Sequence, residues 1–131
     1  MIDLESYAAA RITSLYGELD YIRYYNAECM HMLAMEILQK DDVSTISKAQ
    51  YLTAVMEMQI SVSNLYKDDI YDIRMREWPS TDYSHTKERM KRLENLVDCI
   101  YANWKTLYNT YLNLTSQDPE VPKLTMNVMW R

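Results

Sequence analysis

The 131 residues are 48% hydrophobic and 25% charged, the proportions of one ordinary folded domain and too little chain for two. One Gly and three Pro leave almost no turn-forming material, which excludes sandwiches and barrels and favours a few long helices. Lys plus Arg number 14 against 19 Asp plus Glu, a formal charge of −5, so the chain as a whole is repelled by nucleic acid and anionic bilayers.

A chain of this size buries roughly two-thirds of its unfolded surface and needs no metal or disulfide staple. The twelve Tyr, three Trp and ten Met, with no Phe, combine large apolar area with polar tips and adaptable thioethers, a mixture suited to half-buried contact surfaces. The N-terminus Met1-Ile2-Asp3-Leu4-Glu5 is acidic where a secretory leader is basic. The longest apolar runs, such as Met32-Leu33-Ala34-Met35, are only four residues, so neither a signal peptide nor a transmembrane segment is expected.

In chain order, the first periodic segment places Ile12, Leu15, Leu19, Ile22, Asn26, Cys29 and Leu33 on one stripe by alternating steps of three and four, which predicts a helix over about 3–39. Gly17 lies within it, and a break there would make the bundle four-helical. Lys40-Asp41-Asp42-Val43-Ser44 reads as a turn, with Asp42 or Ser44 able to cap the next helix. Over about 45–77 Leu52, Val55, Val62, Leu65, Tyr66, Ile70 and Ile73 fit a helical face. Met56, Met58, Ile60 and Val62 alternate with polar residues as a strand would, but a lone strand would have no partner. Trp78-Pro79-Ser80-Thr81 stops this helix, because the residue before Pro leaves the α region.

The third segment carries the most regular pattern: Met90, Leu93, Val97, Ile100, Trp104, Leu107, Tyr111 and Leu114 step alternately by three and four, a coiled-coil-like seam. Thr81 or Ser84 opens it and Ser116-Gln117-Asp118-Pro119 closes it. The fold class is therefore all-α: an elongated antiparallel bundle of three long helices over residues 1–118, each ~50 Å at 1.5 Å per residue, with the first and third running the same way. Residues 119–131 form an extended C-terminal arm. Pro119 and Pro122 halt the helix, after which Leu124, Met126, Val128 and Trp130 alternate with Thr125, Asn127 and Met129 to give one apolar face. Such a face docks on a neighbour as an assembly arm, folds back on its own bundle, or frays.

Candidate chemistry is sparse. Glu28-Cys29-Met30-His31 has the Glu-x-x-His spacing of di-iron bundles and Asp82-Tyr83-Ser84-His85 is a looser copy, but the two His fall near opposite ends of parallel helices, so no metal site is expected. The soft ligands Cys29, Met30, Met32 and Met35 scatter around the helix axis. Asp68, Asp69 and Asp72 read as a solvated acidic patch. No Ser or Cys lies in a nucleophile motif and one Gly cannot build a phosphate loop, so neither catalytic nor cofactor-binding residues are expected and the chain reads as no enzyme. Flush packing would set Cys29 and Cys99 ~13 Å apart along the axis, beyond bridging reach, leaving free and mostly packed thiols. Residues 74–92 carry Arg74, Arg76, Lys87, Arg89, Lys91 and Arg92 against Glu77, Asp82 and Glu88. Within this stretch Lys87, Arg89, Lys91 and Arg92 are the one plausible nucleic-acid contact, set against the simpler reading of a solvated helix start.

The full length, the rods with a single Gly, the Tyr- and Met-rich runs Asp20-Tyr21-Ile22-Arg23-Tyr24-Tyr25 and Cys29-Met30-His31-Met32, and the ending Met126-Asn127-Val128-Met129-Trp130-Arg131 together resemble the small, all-helical structural proteins of archaeal viruses from hot acidic springs. The likeness is nearest to the coat proteins of two-tailed spindle-shaped viruses. That family has no catalytic signature, so the resemblance implies a role and no site: a self-associating virion subunit, made in the host cytoplasm, whose partners are copies of itself and other virion proteins. The alternative is a nucleic-acid-associated helical protein using the basic patch.

Overall fold

A computed structural model of the chain describes residues 16–77 and 83–131. Among the described residues three α-helices dominate: α1, Tyr16–Leu38; α2, Thr45–Asp72; and α3, Tyr83–Gln117. A π-helical turn, Ile73–Glu77, prolongs α2, and a 3-10 turn, Met126–Val128, lies in the C-terminal segment. No strand occurs among the described residues, so the alternation at Met56–Val62 is carried on a helix. On α2 the buried Met56, Gln59, Ile60 and Ser63 follow helical steps, while Met58 and Val62 are only half-buried.

The α1–α2 turn ends as its composition requires. Ser44, rather than Asp42, is the cap: its backbone is extended and its Oγ accepts from the Ser47 N–H at 3.1 Å, satisfying one of the orphan donors of the first turn. α1 runs unbroken from Tyr16 across Gly17. Ile12 and Leu15 of the predicted stripe, the four-helix alternative that depends on the chain ahead of Tyr16, and the predicted stop at Trp78-Pro79-Ser80-Thr81 lie outside the described residues.

Helix directions follow from pairings along the rods. The start of α1 meets the end of α2, where Arg23 bonds Asp69 and Tyr66 donates to the Asp20 carbonyl, whereas His31 further along α1 meets Gln59; these two helices are antiparallel. Asp20 lies by Arg89, and Glu28 accepts from Asn103 at 2.7 Å, so α1 and α3 run the same way.

Two apolar clusters fill the interior. One holds Ala34, Leu52, Val55, Met56, Trp104, Leu107, Tyr111 and Leu114 with Val121 and Val128 of the C-terminal segment. The other holds Tyr66, Ile73, Leu93, Leu96 and Ile100. The α3 seam supplies both: Leu93, Ile100, Trp104, Leu107, Tyr111 and Leu114 are buried and Met90 and Val97 half-buried.

The α1 stripe is where the structure departs from the expectation. Among the described side chains of α1 the buried ones are Asp20, Ala27, His31 and Ala34. Ile22, Asn26, Cys29 and Leu33 sit half a turn away, on the outward side, with Asn26 and Leu33 exposed and Ile22 and Cys29 half-buried. Met30, Met35, Leu38 and Tyr24 flank these buried positions and pack against the two clusters of the interior, half-buried, so α1 carries apolar side chains on both sides and the expected stripe is the outward one. No helix among the described residues is long and apolar enough to cross a membrane.

Candidate functional site

Three features of the bundle have chemistry beyond packing: a buried carboxylate at one end, a polar layer between the two apolar clusters, and the seat of the C-terminal arm. The carboxylate belongs to Asp20, fully buried on α1. Arg89 Nε stands 3.6 Å and Arg92 3.9 Å from its Oδ2, and the Tyr66 hydroxyl donates to its backbone carbonyl. Neither carboxylate oxygen has a hydrogen-bond partner among the described residues. Burial pushes its pKa above the ordinary carboxylate value, with Asp69 adding to the rise and Arg89, Arg92 and Arg23 opposing it. The same burial, with the Asp20 charge beside it, raises the Tyr66 phenol. One step outward, Arg23 pairs with Asp69 at 3.2 Å. The node thus joins α1, α2 and α3 through charge rather than apolar contact.

The polar layer is built on α1 and α2 from His31, Gln59 and Ser63, all buried. Gln59 Nε2 lies 3.3 Å from His31 Nδ1, an arrangement in which the amide donates and the ring is neutral. Burial lowers the His31 pKa while Glu28 opposes the shift, which agrees with that tautomer. Gln59 Oε1 has no partner among the described residues, a cost of about 1–3 kcal/mol for a buried polar atom. Ser63 donates back to the Ile60 carbonyl. At the rim Glu28 accepts from Tyr24 at 3.2 Å and from Asn103 at 2.7 Å, and burial followed by Glu28 raises the Tyr24 phenol to about 12.

Of the Glu28 and His31 pair, the Glu28 carboxylate is engaged through Oε2 by a phenol and an amide, and the His31 ring through Nδ1 by Gln59. The second expected pair, Asp82 and His85, lies outside the described side chains. Glu28 is level with Asn103, eighteen positions beyond His85, or about 27 Å along a helix. Among the described residues no group of three or more His, Cys, Asp or Glu could hold a metal ion. Asp69 of the acidic patch turns to Arg23, and Asp68 is exposed.

Both cysteines are free, but their packing differs from the expectation: Cys29 is half-buried and Cys99 exposed. Their axial offset is smaller than flush helix ends would give. Tyr24 lies against Cys99 and Glu28 against Asn103, which leaves Cys29 only ~8 Å further along; its place on the outward side of α1 keeps the thiols apart.

Of the expected nucleic-acid contacts, Lys87 and Lys91 are exposed, but Arg89 is turned inward to Asp20 with its side chain only 12% exposed, and Arg92 leans on the same carboxylate. Arg74 pairs with Glu94 at 3.0 Å. The patch is thus not one cationic surface: the buried carboxylate draws in its central guanidinium.

The arm also departs from its expected shape. Period-two alternation would put Leu124, Met126, Val128 and Trp130 on one face, yet the 3-10 turn rotates Met126 out, 73% exposed, while Val128 is fully buried and Leu124 and Trp130 half-buried. The arm lies on its own bundle. Trp104 Nε1 donates to the Val128 carbonyl at 2.7 Å, the Tyr111 hydroxyl donates to the Pro122 carbonyl, and Lys67 Nζ donates to the Arg131 carbonyl at 3.0 Å. Lys67 also stands 4.6 Å over the Trp130 ring, a cation–π contact of about 0.5–1 kcal/mol. Trp130 packs 4.9 Å from Tyr101 and 5.9 Å from Trp104, centroid to centroid. Two shallow grooves flank the arm, one of about 350 Å³ between Tyr108, Leu112 and Leu124 and one of about 210 Å³ between Ile60, Asn64 and Met126.

The signals for the Asp20 node were present as Arg89 and Arg92, three apart on one helix face, and as Asp20, Ala27 and Ala34 at sevenfold spacing. Hydropathy hides them, because an aspartate and two alanines do not read as a core. No known protein family, no characterised protein and no solved structure matches this chain.

Proposed function

We propose that this chain is a non-enzymatic structural subunit of a virion, an elongated antiparallel helical bundle that associates with copies of itself through helix faces and its C-terminal arm. The observation that carries the association is the outward side of α1, where Ile22, Cys29 and Leu33 form an apolar stripe flanked by Tyr21 and Met32; Tyr21 is 53%, Met32 59% and Leu33 39% exposed. Along 23 residues, about 35 Å, this side has the length of a helix-to-helix contact. Each large side chain fully buried there contributes about 1.5–3 kcal/mol, and a second copy meets it like to like, because a twofold contact uses the same patch on both subunits. The virion setting, with synthesis in the host cytoplasm, rests on the resemblance to coat proteins of archaeal viruses.

Mass measured across a concentration series tests this reading. Assembly that grows with protein concentration is expected, and a chain monomeric at every concentration would overturn it. The nucleic-acid reading is weakened by the engagement of Arg89 and Arg92 with Asp20. Retention on DNA that falls steeply with salt and is lost on Lys87→Glu with Lys91→Glu would restore it.

A further inference from the structure

We propose that the C-terminal arm is exchanged between copies, so that residues 119–131 of one chain occupy the seat on α2 and α3 of the next; this rests on the self-association proposed above and names its occupant. The arm is a separable unit. Its internal backbone bonds, Val128 N–H to the Thr125 carbonyl and Met129 N–H to the Met126 carbonyl, are local to it. Its anchors are all on the helices: Trp104 to the Val128 carbonyl, Tyr111 to the Pro122 carbonyl, Lys67 to the Arg131 carbonyl, and the burial of Val121 and Val128. None of these contacts involves the hinge, so the seat accepts an arm equally well from either chain.

What ties the arm to its own bundle is a tight reversal. Between Gln117, the last residue of α3, and the buried Val121 the chain turns back in three residues, Asp118-Pro119-Glu120. The Glu120 N–H donates to Asp118 Oδ1 at 2.9 Å and the Val121 N–H to the Asp118 carbonyl at 3.2 Å. Pro119 and Glu120 are exposed and Asp118 half-buried, so water competes for these bonds. The Asp118 N–H still bonds the Leu114 carbonyl in helical register and Pro119 stops the helix there, so straightening the hinge leaves an extended segment that projects the arm away from the end of α3. Closed and exchanged forms then share every anchor and differ in the hinge and in mass action, the condition under which domain swapping has little cost. A chain that gives its arm to one neighbour leaves its own seat open to another. That head-to-tail contact closes a ring or runs on as a filament.

The test uses the full-length chain with a photo-cross-linking residue at Met126, which is 73% exposed and lines one groove with Ile60 and Asn64 of α2. Isotopically heavy and light chains are mixed in equal amounts as monomers, concentrated to assemble, irradiated, and separated by size. In the monomer fraction arm-to-α2 cross-links should join peptides of one isotope; in the assembled fraction about half should join heavy to light, as random exchange requires. Assembled protein whose arm-to-α2 cross-links are all of one isotope overturns exchange and leaves self-association standing, whereas a chain that never assembles overturns both. Independently, Asp118→Ala with Pro119→Ala favours a straight hinge and should lower the concentration for half-assembly by about tenfold, on the logic that a disfavoured reversal promotes swapping. An unchanged or raised concentration counts against exchange.

Discussion

α1 and α3 are parallel neighbours that meet the interior in opposite ways. α3 presents Leu93, Ile100, Leu107 and Leu114, large side chains all buried, and its apolar stripe is its inward face. α1 buries Ala27, His31, Ala34 and the Asp20 carboxylate, flanks them with half-buried Tyr24, Met30, Met35 and Leu38, and turns a further apolar stripe outward. An amphipathic pattern announces that a helix will bury a face; it does not say whether the partner is the same chain or another. Polar anchors set the register and flanking apolar side chains seal it, so the most deeply buried positions of a helix need not be its largest apolar ones.

The largest effects should therefore come from α3. Leu107→Ala, at a fully buried position, should destabilise by about 2–5 kcal/mol, the range for a large-to-small change in a packed core. On α1 the damaging change is the reverse one. Ala34→Leu, also at a fully buried position, should cost about 1–3 kcal/mol through overpacking. Denaturant unfolding of both variants checks the contrast, and a tolerated Ala34→Leu would mean that α1 packs less closely than the small-residue face requires.

Asp20 and His31, both buried on α1, sharpen the comparison through pH. The His31 pKa is depressed by burial from its ordinary 6.5, so between the folded value and 6.5 the unfolded chain binds more protons and stability falls as the pH drops through that window. Asp20 is shifted the other way: its pKa is raised by burial from 3.8, so its contribution is full below 3.8 and is lost as the pH rises through the folded value. Melting temperature against pH should lose its decline below 6.5 in His31→Gln and its decline above 3.8 in Asp20→Asn. A His31→Gln variant that keeps the acid-side slope would remove His31 as its source.

These contrasts also mark what could be read from residues alone. The α3 seam was legible because large apolar side chains repeat by threes and fours without interruption, and a cap at Asp42 or Ser44 because side-chain oxygens before a helix meet its orphan N–H groups; the choice of Ser44 was not. The buried side of α1 was not legible, since hydropathy scores Asp20, Ala27 and His31 below Ile22 and Leu33. The end of α3 was legible from Pro119, but the conformation of the arm was not: period-two spacing cannot register a 3-10 turn set by where Trp104 offers its indole N–H to the Val128 carbonyl. Arg89 read as a solvent cation because its partner lies 69 positions earlier in the chain.

The smallest expected effect on stability is the one that bears most on function. Tyr21 and Met32 are 53% and 59% exposed on α1, so Tyr21→Gln with Met32→Gln removes limited burial in the single chain and should change its unfolding free energy by no more than about 1 kcal/mol, about 0.5 for each surface substitution. If copies meet through this side, the same double variant loses two large contacts from each subunit and the concentration for half-assembly should rise by at least about tenfold, which is 1.4 kcal/mol of association. Sedimentation across a concentration series reads the second quantity and denaturant unfolding the first. A variant as destabilised as Leu107→Ala would place the α1 stripe inside the fold after all. One that is stable and assembles as the parent does would move the contact off α1 and leave association to the arm.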